Sequence, residues 1–368
     1  MKEKPETLRR ISRREFLYLS AAGVMTAFLS PWDALAAPGG WPERTIFVII
    51  GYAAGGGTDL VMRGIAKPME RLLKTRINAV NRPGSVAALA TDFVWNRPSD
   101  GYWWLGTSSF NKFLRVQGLH HTVPWKDWQF YKIATSIAAW AVKPESPFKT
   151  FGDVIEAAKK RPGEIKVSNS GVGGIWHEAT LLVEKFTGAR FKHVPYAGGA
   201  PAVLAGLRGE VDVIASGVHE QIEHLRAGNL RNLAVFTSEP LKVVGAGPLT
   251  PIVEFVPQLK AFAPFGASYT LGLKRDVDVE ILKTIDRNLR KAVDDPEFTA
   301  MLERQVQFKA LKTGREADRE AAASESVTAW LFWEQKLETA KVNPADLGIP
   351  KPEDFDKWWP PKGYKPLW

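Results

Sequence analysis

Thr45-Ile-Phe-Val-Ile-Ile-Gly-Tyr-Ala-Ala-Gly-Gly-Gly-Thr-Asp59 is the stretch that decides the fold. Its first half is an unbroken apolar run rich in β-branched residues. Such a run reads as a strand buried on both faces, the habit of parallel sheets. Leu60-Val-Met-Arg-Gly-Ile-Ala66 follows with apolar residues at helical spacing. The glycines therefore stand at a strand-to-helix turn, where bare backbone approaches a ligand and unpaired helix N–H groups face an anion. A tight turn that binds nothing is the plainer alternative.

Two nucleotide readings of this turn fail on particular residues. A phosphate loop ends in Gly-Lys-Ser/Thr, and here Gly-Thr-Asp stands instead. A dinucleotide fingerprint needs a third glycine where Leu60 lies and an acid where the second strand ends at Asn81. A carboxylate is the better anion.

The chain of 368 residues has a net charge of +9 and no cysteine, which excludes disulfides and thiol chemistry. The basic residues are spread rather than blocked. They favour anionic solutes and give no reason to expect nucleic acid. Ser12-Arg13-Arg14-Glu15-Phe16-Leu17 is a twin-arginine motif. It precedes an apolar segment too short to span a bilayer and the small residues Ala34-Leu35-Ala36. Residues 1–36 are thus expected to be an export signal cut before Ala37, with a periplasmic mature chain.

Strand and helix then alternate. A third strand near Tyr102 to Leu105 ends in a second polar loop, Gly106-Thr107-Ser108-Ser-Phe-Asn111. The chain is expected to cross to a second unit near Trp140 and to return near Ser268. Between the crossings the same rhythm repeats, predicting a second parallel sheet with glycine-rich turns at Ser170 to Gly174 and Tyr196 to Ala200. The resulting division is 37–142 plus 263–342 for the first domain and 143–262 for the second. A helix is expected from about Arg315 to Ala340, and 343–368 reads as an extended tail rich in proline and tryptophan. Two sheets with such turns suggest two jaws facing one interdomain cleft.

These landmarks together resemble the periplasmic solute-binding subunits of tripartite tricarboxylate transporters, the Bug or TctC type. The residues that carry the resemblance are Tyr52 to Asp59, Asn81-Arg-Pro-Gly84, Asp100-Gly-Tyr102, Leu105-Gly-Thr-Ser108, His193-Val-Pro-Tyr196 and Arg226 to Val235. The resemblance implies an α/β, two-domain type II periplasmic-binding-protein fold. It also implies capture of a small carboxylated solute for delivery to membrane subunits, without catalysis, metal or cofactor, by a monomer. An exported ligand sensor and an exported enzyme are the alternatives.

Carried over, the first jaw is Ala54, Gly55, Gly56, Gly57, Thr58 and Asp59, with Thr107 and Ser108 beside it. The second is Ser170, Gly171, Gly173, Gly174, Trp176 and His177, supported by Tyr196, Gly198, Gly199 and Ala200. Ser216 lies where amino-acid-binding relatives often carry an aspartate, which argues against an amino-group ligand. Ile175 and Trp176 replace small polar residues of the relatives. They form an apolar wall for a ligand with an apolar or aromatic part, unless Trp176 turns into the core. His177 either donates to the ligand or caps its own turn. Asp59 either reaches the ligand through water or simply favours the helix dipole.

Overall fold

The computed structural model describes residues 40–367; the twin-arginine segment lies outside them. The apolar run forms strand β1 (Ile46–Ile50) and the glycines lead into helix α1 (Gly57–Leu73). Side chains on a strand alternate between faces. Here Ile46, Val48 and Ile50 enter one apolar cluster while Ile49 enters another, so both faces of β1 are covered.

Around β1 stand β2 (Ile77–Asn81), β3 (Trp103–Ser108), β4 (Trp128–Thr135), β12 (Ser268–Lys274) and β13 (Phe308–Lys312). Their order is β13-β4-β12-β3-β1-β2, with helix α2 (Ala88–Trp95) connecting β2 to β3. β1 pairs in parallel with both β2 and β3, and β12 returns antiparallel between β3 and β4.

The second sheet contains β5 (Ala138–Val142), β6 (Lys166–Asn169), β7 (Lys192–Pro195), β8 (Val213–Gly217) and β9 (Arg231–Val235), in the order β7-β6-β8-β5-β9, and β10 (Leu241–Val243) and β11 (Gly247–Leu249) form a separate antiparallel pair. The helices between them are α3 (Phe151–Lys160), α4 (Ile175–Thr187), α5 (Gly199–Leu207) and α6 (Val218–Arg226). The sheet is not all parallel, as the sequence had suggested. β5 arrives from the first sheet and runs antiparallel to both β8 and β9.

The outward crossing also lies earlier than expected. Trp140 is already paired with Ala215 and buried at 1% exposure, so the chain changes sheets at Ser136–Ile137. The return is at Gly266–Ala267. The two crossings touch: the Ser136 amide donates to the Ala267 carbonyl at 2.9 Å, and the Ala138 amide to Phe265 at 2.9 Å. A Cβ on Gly266 would sit 1.9 Å from the Ser136 carbonyl oxygen, so only glycine fits that approach.

Helices α7 (Val279–Ala292), α8 (Pro296–Arg304) and α9 (Gly314–Glu334) cover the first sheet. α9 stops six residues short of the expected end. Lys336 takes a left-handed φ of 53°, and the Leu337 amide turns back to the Phe332 carbonyl. The chain then passes over the first half, where the Lys341 and Val342 amides both donate to the Val116 carbonyl.

The tail is not wholly extended; it contains the short helix α10 (Phe355–Trp358). Ser326 Oγ donates to the Pro350 carbonyl at 2.7 Å, Tyr364 Oη to Asp318 at 2.8 Å, and Trp125 packs edge-on against Trp358 and Trp359. Among the described residues no helix is long and apolar enough to cross a membrane.

Candidate functional site

Four helices begin around one small cavity. α1 starts behind Gly56, α4 behind Gly174, α5 behind Gly198 and α6 behind Gly217. The first three have glycine at the N-cap and no side-chain cap. Their first-turn N–H groups are the ones a helix cannot satisfy internally, and each helix start carries about half a positive charge. Gly56, Gly57 and Thr58 from one half meet Ile175, Trp176, Gly198 and Gly199 from the other along this cavity of about 30 Å³. By volume it holds about two waters.

Tyr52 and Ser170 also line a second cavity of about 450 Å³ that adjoins the first. Its other walls include Val86, Leu119, Val172 and Tyr196, with Thr339 and Lys341 at the rim. The outer chamber is therefore largely apolar. Its rim is supplied by the segment that follows the early end of α9.

The sequence-predicted residues divide into four groups. Gly56, Gly57, Thr58, Ser108, Trp176, Gly198 and Gly199 line the inner cavity, Gly171 and Tyr196 the outer, and Ser170 both. Gly174 caps α4 at the edge of its turn. The remaining residues line neither cavity. Ala54 and Gly55 are exposed, and Ala200 stands one position into α5 beyond the lining glycines.

Asp59 is turned into its own loop. It accepts from the Gly55 amide at 3.0 Å, from Arg63 Nε at 2.8 Å and from Asn81 Nδ2 at 2.8 Å. It braces the first jaw rather than facing the cavity. Thr107 is fully buried and bonds Asn111, which in turn donates to Thr91 Oγ1. Gly173 packs against Gln117 of the opposite half; a Cβ there would lie 2.5 Å from the amide nitrogen. Ser216 is buried behind the site, accepting from Gln221 Nε2 at 3.0 Å.

His177 caps its own turn. Its Nδ1 accepts the Gly173 amide proton at 2.9 Å, which requires that nitrogen to be unprotonated. Burial, and then the neighbouring His193, hold its imidazole well below the usual histidine range. Trp176 is both wall and core: it lines the inner cavity, is 3% exposed, and lies 6.1 Å from the His219 ring.

Sequence reasoning missed several inner-cavity residues, Tyr52, Ala53, Pro201 and Ala267 among them, and two of those it missed carry polar chemistry of their own. Tyr269, on β12, bonds Ser136 Oγ and His219 Nε2 at 3.0 Å each. Burial and the nearby Glu220 charge push its phenol up, so it remains a neutral hydroxyl. Glu220 is the other, on the first turn of α6, with its Oε2 accepting from the Gly217 amide at 2.9 Å. The available signal was the Gly217-Val-His-Glu220 spacing, a capping pattern in which the glutamate bonds back to the N-cap amide.

The profile of the tripartite tricarboxylate transporter family receptors matches residues 61–317. BugT of Bordetella pertussis is 29% identical over 203 residues, covering 54% of this chain and 62% of BugT, less than two thirds of that relative. A TctC solute binding protein from Polaromonas, solved without ligand, is 28% identical. It superposes at a TM-score of 0.58 over 80% of this chain and 100% of its own. A protein from R. palustris, solved with adipate, shares the fold at a TM-score of 0.68 with 23% identity, over 83% of this chain and 99% of its own. With a matched profile across most of its length and two sheets whose glycine-led helices meet at one cleft, the chain belongs to the tripartite tricarboxylate transporter receptors, a family of solute-binding proteins.

Proposed function

We propose that this receptor captures a small solute bearing a carboxylate and an apolar part, and presents it outside the cytoplasm to the membrane subunits of a tripartite transporter. The observation that carries the reading is the meeting of the uncapped N-termini of α1 and α4, one from each half, at an inner cavity that adjoins an apolar chamber. A carboxylate gains hydrogen bonds of about 1.5–3 kcal/mol each from such donors. An apolar body gains about 25 cal/mol per Å² buried in the outer chamber. The inner cavity is too small for that body. The R. palustris neighbour with adipate supports a carboxylate as the anion. The twin-arginine motif supports export.

The test is a thermal-shift and calorimetric comparison on the mature chain. Hexanoate should raise the melting temperature and bind, whereas hexanol, with the same carbon count and no charge, should do neither. Failure of every carboxylate to bind would overturn the reading.

A further inference from the structure

Glu220 places a carboxylate inside a cavity otherwise built for an anion. Its side chain is 4% exposed. Oε2 lies against the start of α5, so close that a Cβ on Gly199 would fall 1.8 Å from it. Oε1 faces Gly56, where a Cβ would stand 3.8 Å away. The group therefore sits between the first turns of α1 and α5, one from each half of the molecule. The basic group nearest in kind is His219, whose Nε2 is 3.6 Å from Oε1 and 3.0 Å from Tyr269 Oη. Among the described residues no lysine or arginine lines this cavity.

On the other wall Ser170 is 6% exposed, and its Oγ has no hydrogen-bond partner among the described residues although the residue borders both cavities. A buried hydroxyl without a partner is costly unless something else satisfies it. The inner cavity thus offers two unlike ends. Ser170 and the free N–H groups of α4 and α1 suit one carboxylate. Glu220 Oε1 suits a hydrogen-bond donor.

We propose that Glu220 is a specificity-determining residue: it takes the place of a second ligand carboxylate and selects a monocarboxylate with a hydroxyl or ammonium group on the adjacent carbon. The inference rests on the carboxylate-binding reading above and narrows its substrate class. A second carboxylate on that carbon would meet Glu220 at contact distance, where like charges with little intervening water repel strongly. A donor there meets an acceptor already held in place by the Gly217 amide. Ser216, the position that argued against an amino group, is buried and lines neither cavity.

The experiment uses four acids that share one butyl tail for the outer chamber: hexanoate, 2-hydroxyhexanoate, 2-aminohexanoate and butylmalonate. Affinities are measured by calorimetry for the parent chain, Glu220→Gln and Glu220→Ser. Glutamine keeps an acceptor for the Gly217 amide, so the start of α6 survives. For the parent, the hydroxy or amino acid should bind at least tenfold more tightly than hexanoate, and butylmalonate at least tenfold more weakly. Comparing the hydroxy with the amino acid decides which donor is used. In Glu220→Gln, butylmalonate should gain at least tenfold relative to hexanoate. Butylmalonate binding the parent as tightly as hexanoate would overturn the inference even if neither variant folds. So would an unchanged ratio in a folded Glu220→Gln. Binding of none of the four acids to any of the proteins would instead overturn the carboxylate reading, and this inference with it.

Discussion

Lys112 and Glu178 form a buried ion pair between the two halves of the molecule. The lysine Nζ donates to Glu178 Oε1 at 3.1 Å and lies 2.9 Å from Oε2, with side-chain exposures of 6% and 0%. Lys112 follows β3 of the first sheet, and Glu178 belongs to the first turn of α4 beside the second. Thr328 of α9 donates to the same carboxylate at 2.7 Å. Removing one partner of such a pair strands a charge away from water. Lys112→Met should therefore cost about 3–5 kcal/mol of stability. Urea unfolding of parent and variant checks this, and a loss below about 1 kcal/mol would show that water reaches Glu178.

Ser170→Ala separates binding from stability. The hydroxyl bonds nothing among the described residues, so its loss should leave the ligand-free melting temperature unchanged or slightly raised. Affinity for a carboxylate that binds the parent should fall roughly tenfold or more, the equivalent of a hydrogen bond to a charged group. Equal affinities would place the carboxylate elsewhere.

His177 gives stability a defined pH dependence. Its folded imidazole is held well below the usual histidine range by burial and by His193. A group depressed in this way contributes stability that is full above its unfolded value, about 6.5. That contribution is lost as pH falls from there toward the folded value, at up to about 1.4 kcal/mol per pH unit. Protonation would also remove the acceptor for the Gly173 amide. Denaturation at pH 7 and pH 5 should show a steeper fall for the parent than for His177→Gln. Parallel curves would mean that another group carries the dependence.

The tail should act as part of the fold. Deleting 343–368 removes the cover over Trp125 and the Tyr364 hydroxyl that meets the buried Asp318. A loss of about 2–4 kcal/mol is expected, or a melting temperature lower by roughly 3–6 °C for a chain of this size. Rapid proteolytic removal of the tail with no change in melting temperature would show it to be a free arm.

How much of this was legible depends on what kind of signal each residue leaves. The β1–glycine–α1 unit is plain because a strand buried on both faces and a glycine turn both mark the chain itself. β5 is not, because an apolar strand carries no sign of its direction; only the pairing of Trp140 with Ala215 reveals it. Glu220 escaped because α6 begins behind a glycine, whose missing side chain leaves the helix start without the usual N-cap residue. The early stop of α9 rests on one left-handed lysine, with no glycine or proline to announce it. Asp59 and His177 were identified as site-loop residues, yet each satisfies its own turn. Sequence spacing reports proximity to a loop and not the direction of a side chain.

The contact between the two crossings has a consequence for the architecture as a heritable unit. Because the chain leaves the first sheet at Ser136 and returns at Ala267 through hydrogen-bonded neighbours, everything between them is topologically an insertion with adjacent ends. Linking residue 137 to residue 265 by a short turn would close the excised half without disturbing any strand register in it. Bridging residue 135 to residue 268, which pair across β4 and β12, would do the same for what remains. Each half is a candidate for exchange between receptors of this architecture, so that one jaw can diverge while the other is kept.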